Sequence, residues 1–304
     1  MALNRALFTK QLNLGLNTVF GMEYDRYPEQ WRSLYSTEQS MKAFEEDVQM
    51  IGFGAAPTKA EGAMINYDSG REGFVSRYVH ETVALAFAIT EEAEEDGLYG
   101  SLGAKYARAL ARSMQQTKEI KGANIFNNAT TTSTGGDGVA LMNGSHPLGG
   151  GGTASNILGT PADLSETSLE TLLVQISTAV DDRSIPVALS GRKLAVPPQL
   201  VFVADRILNS TLRSGTADND INAVRNTGVL PGGYTVNHYL TDPDAFFLLT
   251  SVTESGEGLK MFQRTAMETN MEPDFSTGNI RYKARERYSF GFSDWRGIYG
   301  SQGA

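Results

Sequence analysis

The sequence predicts an α+β fold in which long strands and one long helix accompany a compact middle segment. Apolar and charged residues alternate from residue 280 to residue 292, and apolar residues recur at helical spacing between residues 99 and 117. Residues 165–250 combine two helical stripes with strand-like runs. Alternation with period two is typical of a half-buried strand, whereas a repeat of three to four positions is typical of one helix face.

The composition limits the function classes. A chain of 304 residues with 40% hydrophobic content can build one large domain or two medium ones with a packed core. The absence of cysteine excludes disulfides, thiolate catalysis and cysteine-bound zinc. No run approaches the roughly 18 apolar residues of a membrane helix, and residues 1–20 lack the apolar stretch of a signal peptide. The net charge of -9 argues against a broad nucleic-acid surface.

The alternating segment near the C-terminus predicts a strand with one apolar and one cationic face. The cationic face carries Arg281, Lys283, Arg285 and Arg287. In an acidic chain these cations need a counterpart, and the best candidate is an acidic run made of Glu91, Glu92, Glu94, Glu95 and Asp96. The aromatic, glycine-rich tail that follows is predicted to be docked, because free chain ends are usually polar and mobile.

The first 46 residues contain many aromatics but little periodicity. A disordered tail is one interpretation, yet disordered segments are poor in aromatics. We therefore expect an arm that lies on a neighbouring subunit, with little room for its aromatics within its own subunit. The aromatics are Phe8, Phe20, Tyr24, Tyr27, Trp31, Tyr35 and Phe44.

The next segments predict a hairpin, a strand region and a long helix. Two strands are expected around a turn at Pro57–Gly62, the second at Met64–Tyr67, and such a hairpin is marginal alone. Residues 73–90 read as strand. A helix should then run from the acidic run to about Lys121, with Gly122 as a stop and the lysines of its last turn favoured by the helix dipole. Its predicted apolar stripe is Tyr99, Leu102, Tyr106, Ala109, Leu110, Ser113 and Thr117.

The middle segment, residues 131–275, predicts a compact α+β unit after a glycine-rich loop. Ser165 is a suitable cap for one helix, and Pro197–Pro198 can start another. Tyr234–Leu240 and Ala245–Thr250 are expected to form adjacent strands.

Catalytic motifs are missing from the sequence. The three histidines His80, His146 and His238 are far apart in sequence and match no metal-site spacing, and we expect His80 to be a partly buried structural residue and His146 to shape a turn. The glycines at 149–152 lead to no Gly-Lys-Ser/Thr, which argues against a phosphate-binding loop. No catalytic, cofactor or metal site is predicted, and no enzymatic activity is expected.

Several stretches together with the C-terminal strand resemble one group of tailed-bacteriophage major capsid proteins. These stretches are Phe53–Gly62 with Tyr67 and Gly73, Ala86–Glu92 with Asp96–Tyr99, Asn124–Ala129, Ser145–Pro147 with Ser155, and Tyr239–Ala245. The order and spacing of these stretches carry the resemblance, since none is a strict motif alone. The resemblance implies the Hong Kong 97-type fold.

That fold implies a division of the chain into an N-terminal arm (1–46), an extended loop hairpin (47–72), a peripheral domain (73–130 and 276–304) with a spine helix at about 91–121, and a central or axial domain (131–275). It also places Lys59 near the tip of the extended loop, where some capsid proteins cross-link a lysine to an asparagine. Nothing nearby suggests a neutral lysine, so we expect Lys59 to pair with Glu61 instead. The expected intersubunit contacts are Phe8, Trp31, Lys59, Glu61, Arg281, Lys283, Arg285 and Arg287.

The implied function is a major capsid protein that self-assembles, as pentamers and hexamers, into an icosahedral head around double-stranded DNA. DNA would be enclosed without sequence-specific binding. A scaffolding protein, a portal and, as a further option, a decoration protein are the implied partners, with assembly in the host cytoplasm and a final place in the virion. No cofactor or membrane contact is implied. Two alternatives stay open: an α+β enzyme with a site in the glycine-rich region 135–156, or another phage structural ring or decoration protein.

Overall fold

A computed structural model of the chain describes residues 5–90, 92–93, 99–212, 220–274 and 276–304. In this part of the chain the helices are α1 (Arg5–Tyr24), α2 (Tyr99–Asn127), α3 (Glu166–Ser177), α4 (Val201–Asn209), α5 (Ala223–Thr227) and α6 (Ser251–Glu254). The strands are β1 (Ser36–Gln39), β2 (Phe44–Ile51), β3 (Arg71–Val79), β4 (Glu81–Ile89), β5 (His146–Pro147), β6 (Thr153–Ala154), β7 (Gly191–Val196), β8 (Tyr234–Val236), β9 (Phe246–Thr250), β10 (Leu259–Pro273), β11 (Ile280–Phe292) and β12 (Ile298–Ser301). Among the helices described, none is long and apolar enough to cross a bilayer.

The first sheet has the order β1-β10-β11-β4, with β11 antiparallel to both of its neighbours and β1 parallel to β10. Tyr282 and Ala284 of β11 are buried, whereas Lys283 and Arg285 are exposed, so the predicted half-buried strand is confirmed. Helices α1 and α2 pack against the buried face.

The long helix α2 differs from its prediction at its end and in its buried stripe. It runs past Lys121 to Asn127, and Gly122 lies inside it, so the predicted stop is wrong. A Cβ on Gly122 would lie 3.1 Å from the Cβ of Trp31, so this glycine allows close packing. Tyr106 and Ala109 are exposed, and the buried apolar positions are Ala107, Leu110, Ala111, Met114, Ala123 and Phe126. The predicted start at the acidic run lies mostly outside the described residues.

The N-terminal segment corrects the expectation that its aromatics find little room in their own subunit. Leu16 and Phe20 of α1 pack against α2 and β11, and Trp31, Leu34 and Tyr35 belong to the central apolar core. Phe20, Trp31 and Tyr35 are buried separately, in a helix, in a 3-10 turn and just after that turn, and this explains the missing periodicity; Tyr27 and Phe44 are exposed. Trp31 is 1% exposed, so it contributes to the subunit's own core rather than to an intersubunit contact.

The predicted hairpin exists, but its second strand is placed differently. Strand β2 pairs with β3, which begins at Arg71, and residues 52–70 form an extended loop without strands. The expected strand at Met64–Tyr67 is therefore wrong, because the backbone of these residues pairs with no strand in the described part of the chain. The predicted strand region 73–90 consists of two strands, β3 and β4, which meet at His80.

The second sheet has the order β12-β9-β7-β8 and packs against α3 and α4. The prediction of adjacent strands at 234–240 and 245–250 is wrong, because β7 lies between β8 and β9. Strand β10, which precedes residue 275, pairs along β11 in the first sheet, and β12, which follows residue 276, pairs with β9 in the second.

Two helices of the middle segment match their predictions. Ser165 caps α3 in a capping box, and Leu169, Leu172 and Ile176 on its inner face are fully buried. The segment after Pro197 begins with a 3-10 turn and continues as α4. The docked aromatic tail is also confirmed, since Trp295 and Tyr299 are buried in the second core.

Candidate interaction surfaces

The cationic row, defined as Arg281, Lys283, Arg285 and Arg287, lies on the solvent face of β11. The first three side chains are exposed and the fourth is half-buried. Arg281 forms an ion pair with Asp274. Among the described residues, the other three members have no ion-pair partner within 4 Å, and the Nε of Arg287 has no hydrogen-bond partner. Four of the five acids of the predicted counterpart, Glu91 and residues 94–96, lie outside the described part of the chain.

The two strands beside the cationic row differ in the size and charge of the side chains that lie opposite it. On β4 the residues opposite the row are small and exposed: Thr82, Ala84, Ala86 and Ala88. On β10 the residues opposite the row are Thr265, Glu268, Asn270 and Glu272. An open groove of about 500 Å³ lies at the Arg281 end of the row, with Ala86, Asn270 and Lys283 in its lining.

The opposite face of β11 holds an ion pair that sequence reasoning missed. Glu286 is 1% exposed and pairs with Lys118 of α2, which is also buried. The Tyr24 hydroxyl donates to the same carboxylate at 3.5 Å. Burial raises the pKa of Glu286, while the Lys118 ammonium acts in the opposite direction. The sequence did indicate the burial of Glu286, because Glu286 is an even number of residues from Tyr282, Ala284 and Tyr288 and therefore lies on the same face of the strand.

A second buried carboxylate holds the N-terminal segment on α2. Glu119 accepts the backbone N–H of Gln30 at 2.7 Å and that of Trp31 at 3.1 Å. Burial raises the pKa of Glu119 to about 7, although both N–H donors favour its charged form. At the end of α1, Glu23 forms an ion pair with Arg112 of α2 at 3.0 Å. These contacts join the segment to the helix through polar groups as well as through its aromatics.

The extended loop, residues 52–70, leaves large apolar side chains in solvent. Phe53, Met64, Ile65 and Tyr67 are 67–93% exposed. Its base is fixed by Asp68, which accepts the backbone N–H of Gly54 and pairs with Arg183, each at 2.7 Å.

The charged candidates near the tip of the extended loop are exposed and form no ion pair with the described residues. Lys59 and Glu61 are exposed, and the structure shows no ion pair between them, so the expected pairing is wrong. Phe8 lies in α1, and its side chain belongs to the part that is not described.

The histidines have structural partners, as their sequence context predicts. His80 is buried between the hydroxyls of Ser40 and Ser289, at 2.8 and 3.0 Å. His146 is fully buried, with Nδ1 2.6 Å from Asp137 and its ring stacked on Trp295 at 4.3 Å. Within the ranges that the structure describes, no three His, Asp or Glu side chains form a group able to hold a metal ion.

The glycine-rich region 135–156 is tied to the C-terminal tail. The amide of Asn156 is fully buried and donates to the carbonyls of Leu141 and Ile298 at 2.6 and 3.1 Å. A Cβ at Gly136 would lie 2.6 Å from the carbonyl oxygen of Val75, so the loop packs closely against β3. These contacts give its polar residues and glycines packing roles.

Comparison with known families gives one match, and it covers most of the chain. The model of a family described as phage capsid protein matches residues 74–301. A search of curated proteins finds no match.

Solved structures with the same fold come from several sources. A virus-like particle from Pyrococcus furiosus aligns with a TM-score of 0.54 at 10% identity, covering 94% of this chain and 97% of that one. The capsid of an empty GTA particle aligns with a TM-score of 0.54 at 14% identity over 91% and 90% of the two chains. Mycobacterium phage Che8 gives 0.51 at 14% identity, with 86% of each chain covered. At these identities the likeness establishes the fold.

Proposed function

The chain belongs to the phage capsid protein family and is a shell-forming major capsid protein, and we propose that its copies close an icosahedral head around double-stranded DNA. Pentamers and hexamers of this one chain would form the shell. The protein would act mechanically, without enzymatic activity, and would be assembled in the host cytoplasm before it becomes part of the virion.

The extended loop is the observation that carries this proposal. Phe53, Met64, Ile65 and Tyr67 are exposed together on a loop that projects from a two-stranded hairpin. Exposed apolar side chains gathered in one segment mark an interaction site. A partner that covers them would bury roughly 150–250 Å² at an aromatic such as Tyr67. Repetition of this contact around a shell would supply cohesion that a free subunit lacks.

We also propose the remaining intersubunit contacts, the domains and the partners of this protein. Lys59, Glu61 and the cationic row are proposed as intersubunit contacts, and Phe8 remains a candidate at the start of α1. The first sheet with α1 and α2 would be the peripheral domain, and the second sheet with α3 and α4 the central domain. A scaffolding protein and a portal are the proposed partners, with a decoration protein as a further option. The acidic net charge suits a shell that encloses DNA without gripping it.

Particle size tests this proposal directly. We expect the purified full-length chain, alone or with a scaffolding protein, to form closed shells visible by electron microscopy. Light scattering should report particles far larger than a 32.9 kDa monomer. A chain that stays monomeric at high concentration with the scaffolding protein present would refute the proposal. A single small ring would instead support a tail or decoration component.

A further inference from the structure

The base of the extended loop lies against a tight turn of the middle segment, residues 181–185. The carboxylate of Asp181 closes this turn by accepting the backbone N–H groups of Arg183 and Ile185, both at 2.8 Å. Ser184 has a φ of 62°, in the left-handed region that residues with a side chain seldom adopt. Such a conformation persists only where the surrounding structure requires it. The turn is therefore a candidate for a role beyond joining α3 to β7.

The buried side of the turn contacts the strand that leads into the loop and the glycine-rich region. The buried carboxylate of Asp182 accepts the side-chain amide of Gln49 at 2.9 Å and the N–H of Gly149 at 3.1 Å. Its backbone carbonyl accepts the N–H of Gly150 at 2.7 Å. A Cβ at Gly150 would lie 2.2 Å from that carbonyl oxygen, and a Cβ at Gly149 would lie 2.2 Å from the side chain of Ile51. These two glycines therefore let the turn and the end of β2 approach each other closely.

The exposed side of the turn holds the end of the loop. Arg183 donates through Nη1 to the carboxylate of Asp68 and through Nη2 to the backbone carbonyl of Ser69, both at 2.7 Å. The same Asp68 oxygen accepts the N–H of Gly54 at 2.7 Å, so this carboxylate also joins the two ends of the loop. A planar guanidinium that donates to two adjacent residues fixes the direction of the chain as well as its position.

We propose that Arg183 is a positioning residue that holds the extended loop in a fixed direction on the free subunit, ready for its contact with a second copy of this chain. This inference rests on the proposed function, because the direction matters only when a neighbouring copy is present. Every residue from 55 to 70 is exposed, so the direction of the loop depends on the contacts at its base. A loop that is already ordered loses less conformational entropy when it binds.

The two sides of the turn differ in what their loss would do to the fold. The hydrogen bonds of Asp182 are buried, and without them the N–H of Gly149 would be left without a partner. The ion pair between Arg183 and Asp68 is partly exposed, and pairs of this kind contribute little to stability. Removal of the guanidinium alone should therefore release the loop and leave the subunit folded.

Spin labels measure the direction of the loop. The chain has no cysteine, so Ala60→Cys in the loop and Val174→Cys on the exposed side of α3 give two unique labelling sites. Double electron–electron resonance on unassembled subunits should show one narrow distance distribution when Arg183 is present. Arg183→Met should unfold at the same temperature and broaden this distribution about twofold or more, because its side chain cannot donate to Asp68 or Ser69.

Two further variants make the measurement specific. Arg192→Met is the matched control, because Arg192 of β7 forms a similar exposed ion pair with Glu254 of α6, at 2.9 Å. It should leave the distance distribution and the shell yield unchanged. Asp68→Ala removes the same contact from the side of the loop and should broaden the distribution as well. Because Asp68 is exposed, this variant tests the proposal even where Arg183→Met does not fold.

The yield of shells shows whether the direction of the loop matters for assembly. Without labels, Arg183→Met and Asp68→Ala should each lower the yield of closed shells several-fold, because the released loop loses more entropy on contact. An unchanged distance distribution would overturn the inference, whatever the yield, since a lower yield alone would place Arg183 in the intersubunit contact itself. A broader distribution with normal shells would also overturn it and leave the shell-forming function intact. A wild-type chain without shells would instead refute that function.

Discussion

The N-terminal segment and the extended loop are both rich in apolar residues without regular spacing, but they end in opposite environments. Phe20, Trp31 and Tyr35 of the N-terminal segment are at most 6% exposed. Met64 and Tyr67 of the extended loop are 86% and 93% exposed. A high content of large apolar residues indicates that a segment buries these side chains against another surface. It does not show whether that surface belongs to the same subunit or to a neighbouring one.

The polar groups around the two segments explain the difference. Backbone N–H groups of Gln30 and Trp31 in the N-terminal segment donate to Glu119, and the Tyr24 hydroxyl donates to Glu286, so polar contacts to α2 and β11 hold the segment on the subunit. In the described part of the chain, the contacts of the extended loop with the rest of the subunit lie at its base, where Arg183 pairs with Asp68 and donates to the Ser69 carbonyl. Backbone that enters a core must have hydrogen-bond partners, and among the described residues Glu119 supplies such partners to the N-terminal segment from inside the subunit. The N-terminal segment therefore belongs to the subunit, and the extended loop is free for a neighbour.

The largest expected effect follows from removing the N-terminal segment. Deletion of residues 2–35 should leave a chain that does not fold, contrary to the expectation for an arm on a neighbour. It removes Leu16, Phe20, Trp31 and Leu34, and each large core truncation costs about 2–5 kcal/mol against a total stability of about 5–15 kcal/mol. Solubility and circular dichroism measure the outcome. Deletion of residues 57–65 in the extended loop is the matched control and should fold.

The next effect concerns the buried charge below the N-terminal segment. Glu286→Leu should lower the free energy of unfolding by about 3–5 kcal/mol, because it leaves the Lys118 ammonium buried without its partner. Lys118→Met combined with Glu286→Leu should recover most of this loss, since both charges are then absent. Urea denaturation of the two single variants and the double variant measures the coupling. Additive losses would contradict a direct ionic link.

Local patterns predicted much of the fold. The alternation in β11 and the capping signal of α3 depend on neighbouring residues, and both are confirmed. The order of the second sheet and the pairing of β10 with β11 depend on residues far apart in sequence, which no local pattern specifies. The stripe on α2 was misplaced because Lys118 and Glu119 sit on its buried face. Charged residues there hide the apolar repeat.

The interaction surfaces show the same limit. The exposure of three members of the cationic row followed from alternation, whereas the position of Lys59 in the extended loop followed only from the family resemblance. The burial of Trp31 could not be read from its surroundings in sequence. It depends on Gly122, 91 positions away, whose missing side chain leaves space for the Cβ of Trp31.

A smaller effect follows from the pKa of Glu119, which burial raises from its ordinary value of 4.5 to about 7. The folded state then binds the proton more tightly than the unfolded state. The free energy of unfolding should therefore fall as the pH rises from about 4.5 to 7 and level off above that, by about 1–2 kcal/mol for this group. Glu29 acts in the same direction as burial, and Lys118 opposes it.

The variant Glu119→Gln isolates the contribution of Glu119 to the pH dependence of stability. Its amide oxygen can still accept an N–H, but the amide side chain does not titrate. Denaturation at pH 5 and pH 8 should show a smaller difference for the variant than for the wild type. Glu286 also has a raised pKa and titrates in both proteins, so the comparison between them removes its contribution. An unchanged pH dependence would show that Glu119 is not held in a desolvated site.

The smallest expected effect on the subunit sharpens the contrast most. Tyr67→Ser should change the free energy of unfolding by less than about 0.5 kcal/mol, because the side chain is 93% exposed and buries little surface in the free subunit. It should nevertheless reduce shell yield, since the ring would be buried only against a neighbour. Trypsin should cut at Lys59 in free subunits and much less in shells. Equal cleavage in both forms, with normal yield from Tyr67→Ser, would show that the extended loop stays uncovered after assembly, and the contrast between the two segments would then lie only in their packing within one subunit.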